Sequence, residues 1–477
     1  MNKDFKNINI SDDLLKAITS LKYDSLTEIQ SKVIPLGLEG HNILGSSSTG
    51  SGKTVAFLLP VLERTDWEEN DANVLILAPS RELAVQIKRE YDILGRYKKL
   101  TCVAVFGKQP FKEQEQRLKA KHQAIAGTPG RVLDHIKRGT IDTSTIRYLI
   151  IDEADELLNR GFRDEVLAIV KKLRNVKQSM LFSATLNPQV KKLATEILGD
   201  YQLVEAEDKE ELNIEEILYT VKQQDKFKAL LSVIFERKPK SMIIFVNSRD
   251  ECDMIKERLE EQNFYALKIH GGMLQEDRLK AMDRFKNKEI AYLVATDVAA
   301  RGIDVTDVDI SLSYDFPVEK ESFVHRKGRT GRNYKEGLAI YFISEYDEKY
   351  VREAANFIGT NLDDRRNIDL SFGKTEKDAF LAFQKELRQN RPEKKVIHKD
   401  IVKLYINGGR KKKIRPLDIA GTLNSIPGIE AEDIGIIDVQ DNVTYVDILN
   451  GKGDIALQGL NERKIKGKEL KVEKAKK

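Results

Sequence analysis

The chemistry with the most specific spacing is in "SSTGSGKT" (47–54), set between a short strand-like run, "NIL", and a helix-like one, "VAFLL". Small residues let backbone N–H groups close around phosphates, a lysine neutralises their charge, and a hydroxyl after it can ligate a divalent cation. Thr49, Gly50, Ser51, Gly52, Lys53 and Thr54 are therefore candidates for a nucleotide cradle, with ATP as ligand and Mg²⁺ held by Thr54. About one hundred residues on, "IIDEADELL" (150–158) ends a strand-like run in carboxylates. Asp152 is the second candidate for Mg²⁺, and Glu153 is placed to orient or deprotonate an attacking water. Phosphoryl transfer also needs added positive charge in its transition state. "HRKGRTGR" (325–332) offers Arg329 and Arg332, which share one face if the segment is helical. An arginine supplied across an interdomain cleft is typically worth about 10³ to 10⁵ in rate.

Elements able to position these groups recur along the chain. "VLILA" (74–78), "YLIID" (148–152) and "MLFSAT" (180–185) alternate with amphipathic helical stretches, as do "MIIFV" (242–246), "YLVATD" (292–297) and "LAIYFIS" (338–344). That alternation predicts parallel sheets covered on both faces. The acidic stretch 204–216 reads as a linker, which divides the chain into α/β domains over 1–204 and 214–365. A helical connector over 366–400 and a small domain over 401–477 follow. The last piece runs strand, helix, strand, strand, helix, strand, the order of a split βαβ sandwich.

The composition is that of a soluble, highly charged globular chain, 41% apolar and 33% charged. At 477 residues it exceeds a single ordinary core. Two distant cysteines, Cys102 and Cys252, exclude a disulfide scaffold and suit a reducing cytosol. With no run near 18 apolar residues and no apolar leader, a cytoplasmic location without membrane contact is expected. The net charge is only +4, yet residues 391–477 carry 19 Lys and Arg against 13 Asp and Glu. The basic excess therefore belongs to the last fifth, where Arg410, Lys411, Lys412, Lys413 and Arg415 follow "LYINGG". A basic run beside strand tyrosines, Tyr405 and Tyr445, reads as a nucleic-acid grip.

"GSGKT", "DEAD" (152–155), "SAT" (183–185), "ATDVAARGID" (295–304) and "HRKGRTGR", in this order, resemble the DEAD-box ATP-dependent RNA helicases across residues 5–365. The resemblance implies two tandem RecA-like parallel-sheet domains, with ATP in their cleft and RNA on their joint surface. It implies that Gln30 reads the adenine edge with Phe5 stacked on it, that Asp304 holds ribose or aids closure, and that Ser183 and Thr185 couple the carboxylates to closure. On the RNA side it points to Arg81 in "PSRELAVQ", to Thr128, Gly130 and Arg131 in "TPGR", to Arg278 in "HGGMLQEDR", and to Thr296. "VFGK" (105–108) departs from the family in lacking a Gly-Gly doublet.

The tail resembles the C-terminal, RRM-like α+β domain of the DbpA group within that family. This implies targeting to 23S rRNA or a large-subunit precursor during ribosome assembly, by a monomer. Two rival readings stand beside it. One is a general RNA helicase for mRNA or cold-shock rescue with a non-specific basic tail. The other is a non-enzymatic RNA clamp, which would have little use for Lys53, Asp152, Glu153, Arg329 and Arg332 together.

Overall fold

The computed structural model describes residues 4–21, 23, 25–47, 50–206, 214–297, 308–331, 337–389 and 401–475. Thr49, Asp304 and Arg332 lie outside them.

Seven strands form the first sheet: β1 (Ile43–Ser46), β2 (Val74–Leu77), β3 (Cys102–Val105), β4 (Ala124–Gly127), β5 (Tyr148–Ile151), β6 (Gln178–Ser183) and β7 (Gln202–Glu205). They lie in the order β3-β4-β2-β5-β6-β1-β7, and every pair is parallel. The unbroken apolar runs reflect burial on both faces. Val74 and Ile76 of β2 join the core on one side with Leu59 and Ile87, and Leu75 and Leu77 join the opposite core with Val132 and Leu157.

The second sheet holds β8 (Ile214–Thr220), β9 (Met242–Val246), β10 (Ala266–Ile269), β11 (Tyr292–Thr296), β12 (Ile310–Ser313), β13 (Gly337–Ile343) and β14 (Arg365–Asn367). Their order is β10-β11-β9-β12-β13-β8-β14, again parallel throughout. The third sheet is antiparallel. It contains β15 (Val402–Ile406), β16 (Ile434–Val439), β17 (Thr444–Ile448) and β18 (Val472–Lys474) in the order β16-β17-β15-β18. Its helices, Pro416–Asn424 and Gly453–Asn461, complete the expected split βαβ order.

Two boundaries differ from the sequence reading. The stretch 204–216 is strand at both ends, since β7 runs to Glu205 and β8 begins at Ile214. The 366–400 connector is only partly a connector. β14 extends the second sheet, and the helix Lys374–Gln389 places Phe380 in that domain's core, 5.5 Å from Phe235 between ring centroids. Among the described residues no helix is long and apolar enough to cross a membrane.

Candidate active site and RNA interface

β1 delivers the chain into the phosphate loop, where Gly50 and Gly52 both have left-handed φ, 79° and 94°. Gly52 is also fixed by close approach, because a Cβ there would stand 2.3 Å from Gln30 Nε2. Gln30 uses both ends of its amide. Nε2 donates to the Gly52 carbonyl at 3.2 Å, and Oε1 accepts the Thr27 N–H at 2.9 Å, closing the capping box of the helix Glu28–Glu39. The expected adenine reader thus also ties its helix to the phosphate loop.

Lys53 opens the next helix, is buried, and donates from Nζ to the Ser47 carbonyl at 2.9 Å. Thr54 follows it, partly exposed. Phe5 is 4% exposed, packs into the first domain's core and stacks on Tyr23 at 6.5 Å.

β5 ends beside this loop and sets Asp152 and Glu153 there. Asp152 is buried and its Oδ1 accepts the Glu153 N–H at 2.9 Å. Burial pushes its carboxyl up, with Lys53 opposing the shift. Glu153 adopts a left-handed φ of 49°, uncommon for a residue with a Cβ and a form of strain found at functional sites. Its carboxyl is pushed up to about 7 by burial and then by Asp152, against Lys53 and Arg329. The last influence is informative, because Arg329 belongs to the second domain. That domain's arginine therefore acts on the first domain's carboxylate.

Arg329 lies beyond the helix Lys320–Lys327, while Arg332 lies outside the described residues. The helical arginine is Arg326, which sequence reasoning passed over. It is buried and gives a two-toothed bridge to Asp297 at 2.7 Å and 2.7 Å, with further bonds to Asn247 Oδ1, Ser313 Oγ and the Asp315 carbonyl. Asp155 was likewise missed. Its Oδ2 accepts both the N–H and the hydroxyl of Thr185 at 3.0 Å, binding "SAT" to "DEAD". Both residues stand inside motifs already noticed, but only their partners, 29 and 30 positions away, reveal their use.

The expected RNA contacts gather where strands of both domains end. The Ser80 hydroxyl accepts the Leu83 N–H and so caps the helix Arg81–Leu94, and Thr128 stands at the start of Pro129–Lys137; the two helices follow the neighbouring parallel strands β2 and β4. Burial lowers the Arg81 guanidinium pKa; Glu82 opposes this, while the charges of Arg278 and Arg131 add to it. These three arginines therefore form one electrostatic group. A Cβ at Gly130 would meet open space, and Arg131 is braced on the Gln109 carbonyl at 3.0 Å. Thr296 is buried at the end of β11.

Arg278 lies between the two domains. It is 7% exposed and pairs with Glu82 at 3.1 Å across the two domains, next to a Gln275 Nε2 to Glu82 Oε1 bond of 2.7 Å. Its Nε has no hydrogen-bond partner.

In the tail, Tyr405 and Tyr445 are cross-strand partners on the outer sheet face, their rings 5.8 Å apart and edge to face. On the same strands Leu404, Val446 and Ile448 are fully buried in the opposite, helix-covered face. Gly409 has no room for a side chain, because a Cβ would lie 2.1 Å from the Gln440 carbonyl; the basic loop is pinned there. Arg410, Lys411, Lys412, Lys413 and Arg415 are exposed around the buried anchor Ile414. Two later lysines converge on this loop, Lys466 Nζ donating to the Lys413 carbonyl at 2.7 Å and Lys468 Nζ to that of Lys412 at 2.6 Å. The tail's sheet also neighbours the end of the helix Arg81–Leu94: Lys99 Nζ donates to the Ala431 carbonyl at 3.4 Å, and the charge of Lys403 acts on Asp92.

Residues 27–193 match the DEAD/DEAH box helicase family, 225–334 the helicase conserved C-terminal domain, and 403–474 the DbpA RNA binding domain. The ATP-dependent RNA helicase DbpA of Bacillus subtilis (strain 168) is 43% identical over 476 residues, covering 99% of both chains. The DEAD-box ATP-dependent RNA helicase CshA of the same organism is 37% identical, over 73% of this chain and 71% of its own. Among solved structures, Saccharomyces cerevisiae Dbp5 bound to RNA and ADP BeF3 gives a TM-score of 0.70 at 27% identity, over 81% of this chain and all of that one. Mss116 bound to single-stranded RNA and AMP-PNP gives 0.68 at 28%, over 80% of this chain and 84% of that one. The chain belongs to the DEAD-box ATP-dependent RNA helicases, and within them to the DbpA type with its C-terminal RNA-binding domain. It is an RNA-dependent ATPase, and the reading as a non-enzymatic clamp falls away.

Proposed function

We propose that this helicase is directed by its C-terminal domain to 23S rRNA in assembling large ribosomal subunits, where it opens short duplexes near the captured site as a cytoplasmic monomer. The observation that carries the targeting is the convergence of two lysine runs on one exposed rim beside the Tyr405–Tyr445 pair. A rim of that charge holds phosphate, and paired tyrosines can stack unpaired bases. The residue roles are as follows. Lys53 leaves the Ser47 carbonyl for nucleotide phosphates. Gln30 reads the base, and Gly50 to Thr54, with Thr49 before them, wrap the phosphates. Glu153, whose carboxyl titrates near neutrality, takes the proton of the attacking water. Arg329, with Arg332, brings positive charge from the second domain, and Asp304 serves the ribose.

Asp152 and Thr54 fit a Mg²⁺ ion carried in with the nucleotide. The Asp152 carboxylate is buried and held above its usual range, so a cation there would stabilise its charged form. The ion would supply charge neutralisation between phosphates. Arg81, Thr128, Gly130, Arg131, Arg278 and Thr296 line the track for the RNA backbone, with Arg278 bridging the domains around it. Such contacts hold RNA without reading sequence, which leaves selection to the tail.

The test is steady-state ATPase activity with 23S rRNA against equal mass of unrelated RNA, for the full chain and for a chain ended after Gln389. That end point keeps the helix that carries Phe380, whereas a cut near residue 370 would strip it from the second domain's core. The full chain should need at least about tenfold less 23S rRNA than other RNA for half-stimulation, a difference of about 1.4 kcal/mol. The shortened chain should remain RNA-stimulated and lose the preference. Equal stimulation of the full chain by both RNAs would make this a general RNA helicase.

A further inference from the structure

The interdomain bridge of Gln275 and Arg278 to Glu82 depends on a turn, 270–274, that precedes their helix. One side chain organises that turn. His270 directly follows β10, is buried, and has both ring nitrogens engaged. Nδ1 accepts the Gly272 N–H at 3.2 Å, so this nitrogen carries no proton. Nε2 carries it and donates to Asp253 Oδ1 at 3.0 Å. Asp253, on the helix Arg249–Glu261, also accepts from Lys268 Nζ at 2.6 Å. The charged groups around the ring are therefore Asp253, Lys268 and, beside the turn, Arg249.

The turn lies close over the imidazole. A Cβ at Gly272 would stand 3.2 Å from both Cε1 and Nδ1 of His270, and one at Gly271 would stand 3.4 Å from Arg249 Nη2. The Met273 N–H returns to the His270 carbonyl at 3.2 Å, and Leu274 then caps the helix whose first residue is Gln275. Lys268 thus fixes Asp253, Asp253 fixes the tautomer, and the tautomer fixes the turn.

We infer that His270 is a positioning residue for domain closure: its unprotonated Nδ1 holds the 270–274 turn in the form that delivers Gln275 and Arg278 to Glu82, and so sets the RNA concentration at which the two domains close. This rests on closure around RNA driving hydrolysis. His270 touches neither nucleotide nor reacting atoms, so its loss should change RNA dependence and leave the chemical step intact.

The experiment compares the full-length chain with His270→Ala, His270→Asn and His270→Gln. An asparagine Oδ1 occupies roughly the place of Nδ1 and keeps the acceptor for Gly272, whereas a glutamine amide reaches toward Asp253 and keeps the other bond. For each, the half-stimulating RNA concentration, kcat at saturating RNA, KM for ATP and the melting temperature are measured. His270→Ala should raise the half-stimulating RNA concentration about threefold to tenfold, as loss of one part-buried hydrogen bond implies, with kcat within about twofold. His270→Asn should restore it and His270→Gln should not. Unchanged RNA dependence in His270→Ala, equal rescue by both amides, or a fall in kcat without an RNA shift would each overturn the inference. If His270→Ala does not fold, the contrast between the two amides decides. Failure of the wild type to respond to RNA at all would instead overturn the reading beneath it.

Discussion

The two RecA-like domains have the same sheet. Counting strands from the start of each, both run third, fourth, second, fifth, sixth, first, seventh. Each also begins the helix after its first strand with a lysine, Lys53 in one and Lys226 in the other. Each places a carboxylate two residues after its fifth strand, Glu153 and Asp315. What differs is the loop between strand and helix. In the first domain it contains Gly50 and Gly52, whose left-handed backbone opens a cradle and leaves Lys53 on a carbonyl. In the second it is "VKQQD" (221–225), with no glycine, and Lys226 is 2% exposed and paired with Asp315 at 3.0 Å. One lysine rests on a backbone carbonyl and the other is neutralised by a buried carboxylate. The frames and their lysines match, so what separates the two loops is a few backbone angles.

The contrast can be broken from either side. Glu153→Gln should lower kcat about 10²- to 10⁴-fold with ATP binding retained, and the wild-type rate should rise with pH through about 7 as Glu153 ionises. Undiminished turnover would remove Glu153 from its role. Next in size, Lys226→Ala leaves Asp315 buried without its cation. It should destabilise the second domain by about 3–5 kcal/mol in denaturant unfolding while sparing ATP binding. Lys53→Ala should do the reverse, abolishing ATP binding with little change in melting temperature. If both variants behaved alike, the two lysines would not differ in kind.

The smallest effect concerns Glu251, which sits against the Lys226–Asp315 pair. Burial, then its hydrogen bond to Asp315, pushes Glu251 up to about 8. Burial alone would raise Asp315 as well, but the Glu251 proton, Lys226 and the Asn247 N–H together hold it below its usual range. A carboxyl raised on folding favours the folded state at low pH. Its contribution declines from about pH 4.5 and is gone above about 8, at no more than about 1 kcal/mol per unit given its partial exposure. Glu251→Gln, which can still donate to Asp315, should flatten that slope in thermal unfolding of the second domain.

The inner strands were legible because burial on both faces imposes long apolar runs, and β2, β5, β9 and β11 lie within a residue or two of the sequence reading. The edges were not. β7 exposes Gln202, Leu203 and Glu205, and β14 is Arg365, Arg366 and Asn367, so both carry the polar composition of a linker. Local motifs exposed the phosphate loop and the carboxylates, since their chemistry is set within a few residues. Glu82 with Arg278, 196 positions apart, and Phe5 in the core are products of packing between distant segments, and no local spacing encodes them.

The helix Arg81–Leu94 reaches from the group of Arg81, Arg131 and Arg278 at its first residue to the neighbourhood of the tail at its last. Fourteen residues at 1.5 Å each make it about 20 Å long. It is a ruler as well as a wall of the core. An α-helix neither stretches nor folds back, so it sets one offset between the arginine group at its start and the tail domain near its end. Under the targeting proposed above, the distance from the captured site to the opened duplex is written in that length, and one turn more or less would move it by about 5.4 Å.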